Sequence, residues 1–138
     1  MDIRELCCLL KYAETTEEID GKWEGILGLL PAAEIMIDYD QQNWTHQYDL
    51  WQHSLHTVLG VPRGIDDDML YLAALLHDAG KPQCQTQGER DGKPNMYYYG
   101  HPEKSLQLVK RDCSDAGMEW GVFVRNRKKA AVLLRCIS

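Results

Sequence analysis

The sequence predicts an all-α protein, a bundle of helices, on three observations. Apolar residues recur at helical spacing in several separate stretches. Helix-capping residues stand ahead of those stretches, and no stretch alternates strongly enough to build a sheet. The elements follow in order. Ile3, Leu6, Cys7 and Leu10 fall at i, i+3, i+4 and i+7, so the chain opens on an amphipathic helix. Thr15-Thr16-Glu17-Glu18 has N-cap character and predicts a second helix carrying Ile19, Trp23, Ile26 and Leu27. Leu29-Leu30-Pro31 interrupts it, and Pro31 suits the first turn of a new helix from Ala32 to about Ile37. Residues 38–48 are polar and aromatic without helical period and read as a loop.

Asp49 and Gln52 then make a capping box for a helix through about Leu59. Gly60-Val61-Pro62-Arg63-Gly64 is a break. Asp66-Asp67-Asp68 favours the positive end of the next helix, which carries Met69, Leu70, Ala73, Leu76 and His77. Residues 83–100 read as a long loop or a short hairpin, with Tyr97-Tyr98-Tyr99 as a brief strand. His101-Pro102 opens another helix carrying Ser105, Leu106 and Val109, and the stretch from about Met118 reads as a final helix, apolar and then basic.

A chain of 138 residues is long enough for one domain with a real core, and we expect a single domain over 1–138. The hydrophobic fraction of 44% and charged fraction of 26% are those of an ordinary globular protein. No run reaches the roughly 18–20 apolar residues of a membrane span, and the Met-Asp-Ile-Arg-Glu start is too polar for a secretory signal. We therefore expect a cytoplasmic protein with no membrane partner. The five cysteines are odd in number and form no C-x-x-C pair, which argues against a zinc ribbon or a thioredoxin-type site. A net charge of −6 argues against broad nucleic-acid binding. The basic tail at 125–138, with Arg125, Arg127, Lys128, Lys129 and Arg135, leaves contact with RNA or phosphate open beside its plainer reading as a solvated face.

The chemistry centres on Ala73-Ala-Leu-Leu-His77-Asp78-Ala-Gly-Lys81-Pro82. An apolar helix ends in an imidazole next to a carboxylate, and both are good ligands for a divalent ion. Lys81 supplies the positive charge that a phosphate needs. His53 and His56 stand three apart on the preceding helix and share a face. His101 opens the helix after the loop, at an end of the bundle where ligands from distant parts of the chain converge.

His53 followed by His77-Asp78 resembles the HD-domain superfamily of metal-dependent phosphohydrolases, helical bundles with an H…HD…D pattern. A closer resemblance rests on several short motifs in order. These are Tyr39-Asp40-Gln41-Gln42-Asn43, His46, the run Tyr48 to His56, the run Ala73 to Pro82, and Tyr99-Gly100-His101-Pro102-Glu103. Together, over roughly residues 28–126, they are similar to the HD domain of bacterial CCA-adding tRNA nucleotidyltransferases. The resemblance implies His53, His77 and Asp78 as metal ligands. It implies Asp78, Lys81 and His101 as catalytic residues, with Lys81 and His101 also binding substrate. His46 and His56 match recurring histidines, for which hydrogen bonding behind the ligands is the modest expectation.

The implied cofactor is a divalent ion, one or two of Mg, Mn, Ni, Co, Fe or Zn. The implied substrate is a nucleotide phosphomonoester or cyclic phosphodiester. The nucleotidyltransferase head is absent, so CCA addition is not expected. The family's closing aspartate also lacks a match. After His101 the only aspartates are Asp112 and Asp115, both early, and Arg127-Lys128-Lys129 stands where a histidine-aspartate stretch is common. The C-terminal end thus reads as truncated or replaced. The competing expectation is a catalytically impaired module that binds metal, nucleotide or an RNA end, or self-associates as a homo-oligomer, without turnover.

Overall fold

Asp2, Thr15, Asp49 and Asp67 each begin a helix because a short side-chain oxygen takes up a backbone N–H that the helix itself cannot bond. In a computed structural model, which describes residues 1–39, 49–62 and 65–117, all four do so. Asp2 caps α1 (Ile3–Tyr12) through Glu5 N–H at 2.8 Å. Thr15 caps α2 (Thr16–Asp20) through Glu18 N–H, and Asp67 caps α5 (Asp68–Leu76) through Leu70 N–H. Asp49 caps α4 (Leu50–Gly60) with Oδ1 on Gln52 N–H at 2.7 Å, while its Oδ2 accepts from Asp38 N–H at 2.9 Å. One carboxylate thereby ties the start of α4 to the turn at residues 37–39, and Leu50 N–H donates to Tyr39 O beside it.

The expected second helix is two. α2 ends at Gly21, and α3 (Trp23–Leu29) restarts after Lys22. Glycine is a poor interior helix residue, and the break lets Asp20 turn to accept from Trp51 Nε1 at 2.9 Å across the bundle. The segment after Pro31 is a 3-10 helix, Pro31–Met36, rather than an α-helix. Its start is held from far along the chain. Ala32 N–H donates to Oδ2 of the buried Asp112 at 2.8 Å. A single acceptor fixing one backbone donor suits the tight i→i+3 winding of such a short piece.

The core helix is α5. Met69 and every residue from Tyr71 to Leu76 are buried, and α5 packs against α1, α4 and α6 (His101–Asp115). A helix that is apolar all round belongs in the middle of a bundle. Leu6, Leu10, Ile19, Ile26, Leu30, Met36, Leu55 and Val58 surround it in one continuous apolar cluster. Tyr71 reaches out of that cluster to the preceding loop, donating to Pro62 O at 2.6 Å and accepting from Ile65 N–H.

A 3-10 turn (Lys81–Cys84) leads into a hairpin within residues 83–100. β1 (Thr86–Arg90) pairs antiparallel with β2 (Lys93–Tyr97), in register from Thr86 opposite Tyr97 to Arg90 opposite Lys93. Asp91 and Gly92 both take positive φ, 54° and 76°, the geometry of a two-residue primed turn. The expected strand at Tyr97-Tyr98-Tyr99 is thus the end of β2 only. His46 and most of the expected loop over 38–48 lie outside the described residues, as do the expected final helix and the basic tail at 125–138.

Asp112 does structural work at the foot of α6, with Arg111 Nε at 3.3 Å from its other oxygen. Asp112→Ala leaves the Ala32 N–H buried without an acceptor and lowers stability by about 1.5–3 kcal/mol in urea titration. Metal content is expected to stay at the wild-type value.

Two thiols, Cys7 and Cys113, are buried in the same core. Burial is the first cause that pushes both up from an ordinary 9.0 to about 12, with Asp68 adding to it at Cys7 and the Cys7 thiol adding to it at Cys113. A thiol whose folded pKa is raised favours the folded state in full below the unfolded value and loses that contribution as pH rises. Melting temperature is therefore expected to fall between pH 9 and 12, less steeply in Cys113→Ala. At pH 8, iodoacetamide labels the exposed Cys8 and leaves Cys7 and Cys113 unmodified until the protein unfolds.

Candidate metal centre

The end of α5 builds the centre. The helix stops at Leu76, and the chain turns tightly through Ala79 N–H to Leu76 O and Lys81 N–H to Asp78 O. The carbonyls at a helix C-terminus lack intrahelical partners, and His77 fills one such need: its Nδ1 lies 2.8 Å from Ala74 O. Nδ1 therefore carries the proton, and Nε2 faces the other way, toward Asp78. His101 repeats the device on α6. Its Nδ1 lies 2.8 Å from Tyr98 O, and Gly100 ahead of it takes the left-handed φ of 79° that redirects the chain into the helix.

Asp78 is the hub, with 0% of its surface exposed. Its Oδ2 lies 3.2 Å from His53 Nε2, 3.0 Å from His77 Nε2 and 3.2 Å from Lys81 Nζ. Its Oδ1 lies 3.1 Å from His101 Nε2. Lys81 is 94% buried, a rarity for lysine, and its Nζ sits 5.4 Å from the Tyr98 ring centroid. The His53 and His77 rings are 5.4 Å apart and tilted. Burial on its own would raise the Asp78 pKa. Where the facing Nε2 atoms of His101, His53 and His77 carry protons, their interaction with the carboxyl outweighs burial and holds it far below the usual carboxylate range.

Gly80 sets how closely this turn meets α6. A Cβ there would stand 2.7 Å from Ser105 N and 2.9 Å from His101 O, and the Gly80 N–H donates to the buried Ser105 Oγ at 2.8 Å. Only glycine permits that approach, and the approach brings His101 to Asp78.

Whether a divalent ion fits is decided by the donor set. With Nδ1 of His77 and His101 committed to carbonyls, both Nε2 atoms present lone pairs to a carboxylate. These two nitrogens and both Asp78 oxygens are buried without a hydrogen-bond partner. Acceptors facing acceptors in a dry site need positive charge between them. Protons would supply it by making several buried imidazolium ions beside the Lys81 ammonium. A divalent ion supplies it with the imidazoles neutral, which is also the state that ligates. His53, His77 and Asp78 each offer one ligand atom, all within 4.8 Å of one another. The residues fit the ion.

All five expected site residues within the described chain, His53, His77, Asp78, Lys81 and His101, thus meet around one carboxylate. His56 is exposed one turn further along α4 and is not among the three grouped ligands. The carbonyls of Ala74 and Tyr98 and the Gly80–Ser105 contact were not anticipated. Backbone acceptors leave no trace in side-chain identity, though the glycine two residues after Asp78 was a usable sign of close packing. Asp112, one of two aspartates after His101, is committed to Ala32 and does not join the cluster.

A buried His/Asp cluster at the ends of bundled helices defines a metal-binding helical domain. The HD domain family matches residues 43–133, well over half of the chain and inclusive of all five clustered residues, and the chain belongs to that family. HD domains bind divalent metals and are in general metal-dependent phosphohydrolases. No curated protein and no solved structure matches the chain. Among the described residues, no helix is long and apolar enough to cross a membrane.

Proposed function

We propose that this HD domain is a metal-dependent phosphohydrolase acting on a nucleotide phosphomonoester or cyclic phosphodiester, with His53, His77 and Asp78 holding the ion. The observation that carries the reading is the pair of buried, unpartnered Nε2 atoms of His77 and His101 facing the Asp78 carboxylate, an arrangement that positive charge beyond that of Lys81 reconciles. When bound, the ion supplies Lewis acidity toward water and phosphoryl oxygen. Asp78, His77 and His53 would keep it in place. Lys81 neutralises the phosphoryl oxygens as charge develops on them. Water attacks phosphorus and gives up a proton as the new O–P bond forms, the ester P–O bond breaks, and the leaving oxygen takes up a proton. In this reading His101, on the Oδ1 side of Asp78, takes the water's proton at Nε2 and passes it to the leaving oxygen. The ordered motifs around His46, His53, His77-Asp78 and Gly100-His101 support a kinship with the HD domain of CCA-adding nucleotidyltransferases, and hence a nucleotide or RNA-end substrate.

A second reading draws on Asp112. With that carboxylate capping the Pro31–Met36 segment, Asp78 is the one acid of the described cluster. A site so closed favours a module that binds metal and nucleotide, alone or as a homo-oligomer, without turnover. The assay is hydrolysis of an aryl phosphate and of 2′,3′-cyclic nucleotides with Mg, Mn, Ni or Co. Turnover lost in Asp78→Ala supports the enzyme. Equal rates for both proteins refute it, and stoichiometric metal without turnover supports the module.

A further inference from the structure

The oxygen that the ion would take is already approached by a cation. Lys81 Nζ lies 3.2 Å from Asp78 Oδ2, the same oxygen that faces His53 and His77 at 3.2 and 3.0 Å. Lys81 is held there by its place in the turn. Its N–H bonds Asp78 O, its stem is buried, and its ammonium lies over the Tyr98 ring. We infer that Lys81 is a built-in counter-ion that competes with the divalent ion for Asp78 and couples metal affinity to the arrival of an anion. The inference rests on the proposed metal reading and goes beyond it, because it assigns Lys81 an effect on the ion in the absence of substrate.

Two like charges meet on one acceptor, Asp78 Oδ2. Without the ion, Lys81 balances a buried carboxylate that would otherwise be costly. With the ion, an ammonium and a divalent cation share an oxygen in a site shielded from water, and each weakens the other. An anion of the phosphate type draws Nζ away from Oδ2 toward itself. The ion then keeps the carboxylate to itself. Anion and ion therefore bind with positive coupling through Lys81, and by linkage each strengthens the other equally. The site holds its ion loosely until an anionic ligand is present.

The test is calorimetric titration of Mn into the full chain, with and without inorganic phosphate, for wild type, Lys81→Met and Lys81→Arg. Lys81→Met is expected to bind Mn about tenfold more tightly than wild type, from the removal of one nearby charge. Lys81→Arg keeps the charge and stays near wild type. Phosphate is expected to tighten Mn binding more in wild type than in Lys81→Met. Should Lys81→Met prove too unstable without metal, Lys81→Gln, which keeps a donor for Asp78, takes its place with the same expected direction. Equal or weaker Mn binding by the neutral variants overturns the inference while leaving the metal centre standing. No Mn binding by any of the proteins, wild type included, overturns the metal reading and the inference with it.

Discussion

Asp78→Ala is expected to lose bound metal entirely, to lower any hydrolytic rate about a thousandfold or more, and to destabilise the metal-free protein. The three effects share one cause. His53, His77, Lys81 and His101 all stand within 3.2 Å of this carboxylate, which is 0% exposed. Removing it takes away the common counter-charge of a buried cluster, a change that costs about 3–5 kcal/mol where one partner of a buried pair is deleted. Urea titration in the presence of a chelator reads the stability term apart from the metal term. Asp78→Asn sharpens the distinction. The amide keeps the shape of the hub and can donate one N–H to a facing imidazole nitrogen, so it restores part of the stability. It supplies no anionic ligand, so metal and rate stay lost. An Asp78→Asn protein that retained wild-type metal would show that the carboxylate is not a ligand.

Gly80→Ala carries the second large effect, and it acts through packing. The added Cβ would lie 2.7 Å from the Ser105 backbone nitrogen and 2.9 Å from the His101 carbonyl oxygen. Both are main-chain atoms of α6, so no side chain can swing aside. The turn and the helix must part. Overpacking of this kind costs about 1–3 kcal/mol, and the Gly80 to Ser105 hydrogen bond weakens with it. The functional consequence is selective. His101 rides on α6 and moves away from Asp78 Oδ1, whereas His53, His77 and Asp78 stay on α4 and the end of α5. Hydrolysis is expected to fall about a hundredfold, the cost of misplacing a reacting group by an ångström. Metal affinity changes little. Parallel loss of metal and rate in Gly80→Ala would contradict this division of labour.

The helices legible in the sequence were those with a cap and a long apolar rhythm. Ile3, Leu6, Cys7 and Leu10 marked α1, Asp49 with Gln52 marked α4, and Asp66-Asp67-Asp68 marked the start of α5, while the Asp2 cap emerged only in the structure. The split at Gly21-Lys22 was hidden because Ile19, Trp23, Ile26 and Leu27 keep helical spacing across it. Periodicity records which face is apolar, not whether the backbone is continuous. The start of the 3-10 segment Pro31–Met36 is bonded by Asp112, 80 residues away, and local propensity carries no such information. The hairpin, one of two readings of residues 83–100, has its turn signal in Asp91-Gly92, but its first strand is mostly exposed and lacks the apolar alternation that would have decided between them. At the site, the ligand types were legible because chemistry restricts them to imidazole and carboxylate. The orientation of each ring was not, since it is set by the carbonyls of Ala74 and Tyr98, which every residue possesses.

His53, His77 and Asp78 are proposed to hold a divalent ion. The most direct measurement is anomalous diffraction from crystals of the full chain grown with Mn. A peak is expected within ligand distance of His53 Nε2, His77 Nε2 and Asp78 Oδ2, with both Nδ1–H groups still on the Ala74 and Tyr98 carbonyls. Absence of a peak there, with the three side chains hydrogen-bonded to one another, would contradict it.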